Sequence, residues 1–274
     1  MIIDSHQHFW NYDPVRDSWI DNTMSVLRKD FLPNDLEPLL KKKEIDGCIA
    51  VQADQSENET EFLLNFALKK PFIKGVVGWV DLLSKNLNER LLYYSKNPFF
   101  KGVRHIVQAE KDDYLLRDDV QNGINKLTNY NLTFDILIYP SQIPSAIELV
   151  KKFTKQKFIL DHIGKPNISK PPQKSWKENI IKLAKNQNVF CKLSGLVTET
   201  KNYTFKDDDF VPYIDFIFQN FGPDRIMFGS DWPVCLLAAD YSKVFDLIFT
   251  YIESHSKNSI RKVLGENAIK VYNL

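Results

Sequence analysis

Three observations predict a (β/α)8 TIM barrel for this chain of 274 residues: eight short runs rich in β-branched and aromatic residues, amphipathic segments between them, and a mean spacing of roughly 34 residues, 274 divided by 8. Barrels of this kind typically take about 250 residues. The competing arrangement for the same alternation is a doubly wound open sheet. No Pro/Gly/Ser-rich linker interrupts the pattern, so residues 1–274 read as a single domain.

The first run is IIDSHQHF (residues 2–9), followed by DGCIAVQA (46–53), IKGVVGWV (73–80) and FKGVRHIV (100–107). The second half continues with LTFDILIY (132–139), FILDHIG (158–164), VFCKLSGL (189–196) and RIMFGSDW (225–232). Short runs of β-branched and aromatic residues of this length read as strands. Between or after them, ETEFLLNFALKK (59–70), SAIELVKKFTK (145–155), ENIIKLAKN (178–186) and SKVFDLIFTYIE (242–253) repeat apolar residues at i, i+3 and i+4. That spacing gives each helix one apolar stripe to lay on the sheet. The longest irregular stretch, from about Trp10 to Pro33, carries Trp10 and Trp19 and reads as an ordered loop over a site. A second irregular stretch runs from about Lys165 to Ser175.

Composition narrows the function classes. With 43% hydrophobic and 26% charged residues the chain is neither disordered, collagenous nor a coiled coil. Thirty-six Lys+Arg against thirty-five Asp+Glu give a net charge of +1, with no basic run to attract nucleic acid. Cys48, Cys191 and Cys235 are too few and too scattered for a disulfide framework or a cysteine-rich zinc module, which points to a reducing compartment. The N-terminus, MIIDSHQHFW, lacks the basic flank and apolar stretch of a signal peptide, and no membrane-length apolar window follows. The expectation is a cytoplasmic protein with a small-molecule partner and no nucleic-acid or membrane partner.

Three motifs at run ends carry chemistry. In Asp4-Ser5-His6-Gln7-His8, strand alternation places Asp4, His6 and His8 on one face and Ser5 and Gln7 on the other. If that face is the inner one, two imidazoles converge at the carboxyl end of the barrel, where barrel enzymes keep their chemistry. Such a pair chelates a divalent cation or steadies a developing oxyanion; surface histidines are the plain alternative. In the mid-chain run Leu160-Asp161-His162, alternation sets Phe158, Leu160 and His162 on one face and Asp161 on the other. The last run ends in Gly229-Ser230-Asp231-Trp232, where Asp231 is either a site carboxylate or a helix cap. Three imidazoles and one carboxylate at strand ends of one barrel can surround a single water or metal ion.

The ordered set D-x-H-x-H on the first strand, D-H-x-G-K-P in mid-chain and G-S-D-W-P on the last resembles the amidohydrolase superfamily, in particular its amidohydrolase 2 branch with the sugar-lactone hydrolases. Val77-Gly78-Trp79-Val80-Asp81, Lys101-Gly102-Val103-Arg104-His105, Cys191-Lys192-Leu193-Ser194-Gly195-Leu196 and Gly265-Glu266-Asn267-Ala268 extend the resemblance over nearly the whole chain. It implies a barrel hydrolase whose reaction centre is His6, His8, His162 and Asp231. The same four residues are the implied ligands of at most one divalent cation such as Zn²⁺, although some lactonases of this branch work without metal. The implied reaction is opening of a sugar lactone, like those of enzymes that act on fuconolactone or rhamnonolactone. Asp231 is then the general base for water, and the three histidines, or a cation they hold, stabilise the carbonyl oxygen.

Arg104 is the expected substrate anchor, because a guanidinium grips oxygen atoms in a forked geometry; its alternative is a buried ion pair. His105, Gln52, Trp79, Tyr139 and Lys192 also fall at strand ends as candidate substrate contacts, and Trp10 and Trp232 as candidate walls. Two other functions compete: a decarboxylase or dicarboxylate lactonase of the same superfamily, which needs more cationic residues, and a noncatalytic sugar-binding barrel.

Overall fold

Each of the eight runs contains a strand. A computed structural model describes residues 1–274. Its strands are β1 (Ile3–Gln7), β2 (Gly47–Val51), β3 (Ile73–Gly78), β4 (Phe100–His105), β5 (Thr133–Ile136), β6 (Phe158–Leu160), β7 (Val189–Leu193) and β8 (Ile226–Phe228). All pair in parallel and in sequence order. The ring closes where β1 meets the end of β8: Gln7 bridges Trp232, His8 N donates to Trp232 O at 2.7 Å, and Asp231 N donates to His6 O at 2.8 Å. This is the (β/α)8 TIM barrel.

Helices α1 (Pro33–Lys42), α2 (Glu57–Lys69), α3 (Leu87–Ser95), α4 (Asp118–Leu127), α5 (Ile143–Lys152), α6 (Lys174–Ala184), α7 (Val211–Phe221) and α8 (Tyr241–His255) follow the strands in turn. Local chemistry starts several of them. Ser56 Oγ caps α2 by accepting from Glu59 N, and the Asp240 carboxylate caps α8 by accepting from Lys243 N. None is long and apolar enough to cross a membrane. The three cysteines are buried and unpaired.

Two clusters divide the core. The larger, of 68 residues, lies between strands and helices. The smaller fills the barrel itself: Ile3, Ile49, Val51, Val77, Ile159, Phe190 and Met227 from the strands, sealed by Ala268, Val271 and Tyr272. Those three belong to a last short helix, α9 (Asn267–Tyr272), which plugs the amino-terminal end of the strands. There Gly265 lies against Met1, and a Cβ would meet the Met1 carbonyl oxygen at 1.9 Å. With that end closed, the carboxyl end is left for chemistry.

The loop after β1 is ordered, as its two tryptophans suggest. An antiparallel bridge ties Trp10 to Phe31, a short 3₁₀ turn spans Asn22–Leu27, and Trp10 Nε1 donates to Lys29 O at 3.0 Å.

Candidate active site

Strict alternation along β1 does not hold. Asp4 pairs with Cys48 but Gln7 with Ala50, so three steps on β1 match two on β2. This bulge moves Asp4 off the face of His6. Its carboxylate instead accepts from Ser230 N (2.9 Å), His6 N (3.1 Å) and the Tyr241 hydroxyl on α8 (3.0 Å). Burial lifts its pKa to about 6 despite those bonds. Asp4 therefore braces the ring closure, while His6 turns inward.

The mid-chain motif also departs from alternation. Ile159 faces the barrel interior, so Asp161, two residues on, points inward as well. His162 joins it because the chain turns left-handed where β6 ends: φ is +53° at His162, +49° at Ile163, +75° at Gly164 and +51° at Lys165. Non-glycine residues hold such angles only when their surroundings over-determine them. For His162 those surroundings are Ser194 Oγ, 2.9 Å from Nδ1, and Gly195, whose missing side chain leaves room for the ring. Asp231 is likewise left-handed, at φ +58°.

These turns bring His8, His162 and Asp231 into the wall of a cavity of about 320 Å³, with His6 fully buried directly behind them. His6 Nε2 lies 3.2 Å from His8 Nε2. Asp231 Oδ1 is 3.4 Å from His8 Nε2 and 3.7 Å from His6 Nε2. The His6 and His162 ring centroids are 4.5 Å apart. His8 Nδ1, 2.7 Å from the Val51 carbonyl oxygen, must carry a proton to donate, because a carbonyl only accepts. In the neutral ring Nε2 then presents its lone pair to Asp231 Oδ1, and two facing acceptors call for a shared proton or cation. His6, His8 and Asp231 thus fit one divalent ion, with Val51 orienting His8 from behind.

The electrostatics sort the protonation states. Burial pushes the His6 imidazole well below its ordinary value and His162 down to about 4, so both are neutral at pH 7. Burial opposes charge on Asp231, but His162, His8 and His6 outweigh it and hold its carboxyl below the ordinary range. Asp231 is therefore an ionised acceptor throughout the neutral range.

The remaining sequence candidates separate. Arg104 reaches the cavity but is 3% exposed, its Nη1 3.2 Å from Asp161 Oδ2 and 3.3 Å from His6 Nε2. Gln52 lies behind it, accepting from Arg104 Nη2 through both its carbonyl and its Oε1 and donating to Arg104 O, so it holds the arginine and not a ligand. Lys192 is fully buried beneath His6, because it shares the inward face with Phe190 one step lower in the barrel. His105 points outward, 3.0 Å from Glu110 Oε1 and stacked on Tyr114. Trp79 packs beside Thr60, its backbone bonded to the threonine hydroxyl; Tyr139 is exposed outside the cavity. Trp232 is wedged between Phe9 and Phe31, whereas Trp10 does form a wall.

The loop tryptophan Trp19 lines the cavity with Ile106, and sequence reasoning missed Leu137, Val234 and Lys165, which pairs with Glu199 at 3.2 Å. The only signal for Lys165 was its place in the mid-chain motif; its direction depends on the left-handed turn.

Known proteins resemble this chain in sequence and fold. A family model described as amidohydrolase matches residues 3–274. An L-fucono-1,5-lactonase of Burkholderia multivorans is 37% identical, over 99% of this chain and 96% of its own. An L-fucono-1,5-lactonase of Burkholderia ambifaria is 33% identical, over 87% of this chain and 82% of its own. A crystal structure of an amidohydrolase from Burkholderia multivorans with bound zinc superposes at a TM-score of 0.96 with 36% identity, covering 100% of this chain and 99% of that one.

Proposed function

The chain belongs to the amidohydrolase family, and from that premise and the geometry of the cavity we propose that it opens a sugar lactone with water, using Asp231, His6, His8 and His162. The observation that carries this reading is the meeting of one ionised carboxylate and three imidazoles, with Asp231, His8 and His162 lining a cavity sized for a monosaccharide and His6 directly behind them.

Asp231 accepts a proton as water attacks the lactone carbonyl carbon. The carbonyl oxygen gains charge and is met by the N–H donors that reach the cavity, the His162 ring and Arg104 beside His6. The ring C–O bond then breaks, and the proton held on Asp231 passes to the leaving alkoxide, giving the open hydroxy acid. His6, His8 and Asp231 are the residues that would hold a divalent cation, which supplies Lewis-acid polarisation of carbonyl and water when bound. His162 stays neutral, so it acts through a hydrogen bond and not a full charge.

The cations of the cavity favour a neutral lactone over a dicarboxylate. Arg104 and Lys165 are already paired with Asp161 and Glu199, leaving no free cation for each of two substrate carboxylates. A panel of aldonolactones followed by proton release tests the reading: it expects turnover of a sugar lactone without carbon dioxide, and release of carbon dioxide from an aromatic acid would refute it.

A further inference from the structure

Beneath His6 lies a set of charges that touches neither solvent nor the cavity. Lys192 on β7 is fully buried, and an ammonium group has three N–H donors and no acceptor. Its acceptors are Asp135 Oδ2 at 2.6 Å and Asp161 Oδ1 at 3.1 Å, and Asp161 Oδ1 also lies 3.3 Å from His6 Nδ1, which donates to it in the tautomer that leaves the Nε2 lone pair for a cation. Asp135 is held in turn. Thr133 Oγ1 donates to its Oδ1 at 3.0 Å, and the Tyr272 hydroxyl donates to its Oδ2 at 2.8 Å. Tyr272 comes from α9, the plug at the far end of the barrel, and its ring centroid is 5.6 Å from Lys192 Nζ. Across the ring of His6, Arg104 Nη1 bonds Asp161 Oδ2. Apolar side chains would fill such an interior at less desolvation cost than two carboxylates and an ammonium, so the network calls for a role other than filling space.

We propose that Lys192 is a positioning residue, backed by Asp135 and Tyr272, that holds Asp161 Oδ1 against the Nδ1 edge of His6 and so aims the Nε2 edge of the ring at His8, Asp231 and the reacting carbonyl. The C-terminal helix is then part of the apparatus that orients an imidazole at the opposite end of the barrel. The place of the carbonyl rests on the lactonase reading; the grip on the ring does not.

Tyr272→Phe removes one hydroxyl and keeps the ring that seals the barrel. Tyr251→Phe removes a hydroxyl that meets Asp215 between α7 and α8, remote from His6, and serves as the control. The expected result for Tyr272→Phe is a kcat about tenfold lower with KM changed by less than about twofold, since small misplacements of a reacting group act on rate. Lys192→Met lowers kcat by about 100-fold or more on the same argument. The ¹⁵N resonances of the His6 ring move in Tyr272→Phe and stay in place in Tyr251→Phe. A purely structural tyrosine would lower the thermal midpoint and leave kcat and the ring resonances unmoved. Wild-type kcat together with wild-type His6 resonances in Tyr272→Phe would overturn the proposal, whether or not Lys192→Met folds. If the wild-type protein opens no lactone, the reaction reading fails and the His6 resonances alone decide the positioning role.

Discussion

Replacing Gly195 with alanine is a sharp probe of His162. A Cβ built at Gly195 falls 2.5 Å from His162 Nδ1 and 2.7 Å from Cγ. Ordinary contact begins at 3.4 Å, so the imidazole must retreat by 3.4 − 2.5 = 0.9 Å or the chain must shift by as much. A displacement of about 1 Å at a reacting group costs about 10²-fold in rate. Gly195 also sits at φ +62°, which adds a backbone cost of about 1–2 kcal/mol in a residue bearing a Cβ. Gly222 separates the two effects, because its φ is +70° but nothing lies within 4 Å of a Cβ there. Gly222→Ala thus bears a backbone cost of about 1–3 kcal/mol with no blow to the site. Steady-state kinetics and chemical denaturation on both variants give the answer. Both should lose stability, and only Gly195→Ala should lose about 100-fold in kcat. A folded Gly195→Ala enzyme with wild-type kcat, or an equal loss in Gly222→Ala, would refute the placement of His162 in the reaction.

Other perturbations have equally definite outcomes. Asp231→Asn should lower kcat by about 10²–10⁴-fold while a lactone still binds, as equilibrium titration would show. Zn²⁺ added to chelator-treated protein should fill one site by calorimetry, and His8→Ala should abolish it, since His8 supplies the lone pair that Val51 orients. Burial lifts the Glu59 carboxyl to about 7, so the native state holds a proton that the unfolded chain releases near 4.5. The stability from that proton is complete below pH 4.5 and is lost as pH rises through 7. Denaturation curves should therefore show wild type losing up to about 3 kcal/mol relative to Glu59→Gln between pH 4.5 and about pH 8, and parallel pH dependences would contradict it. Trp19→Ala, at a half-exposed position on the cavity rim, should raise KM several-fold with little change in kcat.

The barrel was legible because its signals are local and repeated. Each apolar run predicted a strand, and Gly102-Val103-Arg104 alternates as expected, putting Arg104 inward and His105 out. The site was legible as residue types at strand ends, but the directions of several side chains were not. The β1 bulge depends on Ser230 and Tyr241 claiming Asp4, and the left-handed turn after β6 depends on Ser194 and Gly195 receiving His162. Both are contacts between residues far apart in sequence, so no strand period anticipates them. Lys192 shows the complementary gap: an ionisable residue inside an apolar run was visible, but not that it lies one layer below the cavity, tied to Asp135. Nothing in the run LTFDILIY set Asp135 apart as its partner.

The most direct test of the reaction geometry is a crystal structure of Asp231→Asn with an unreacted sugar lactone. The predicted complex places the lactone carbonyl carbon about 5 Å from the residue 231 amide, as a water about 3–3.5 Å from the carbon and within hydrogen-bond reach of the amide requires, with its oxygen toward His162 and Arg104. A lactone whose carbonyl instead faces Trp10 and Trp19, or that binds outside this cavity, would contradict the account.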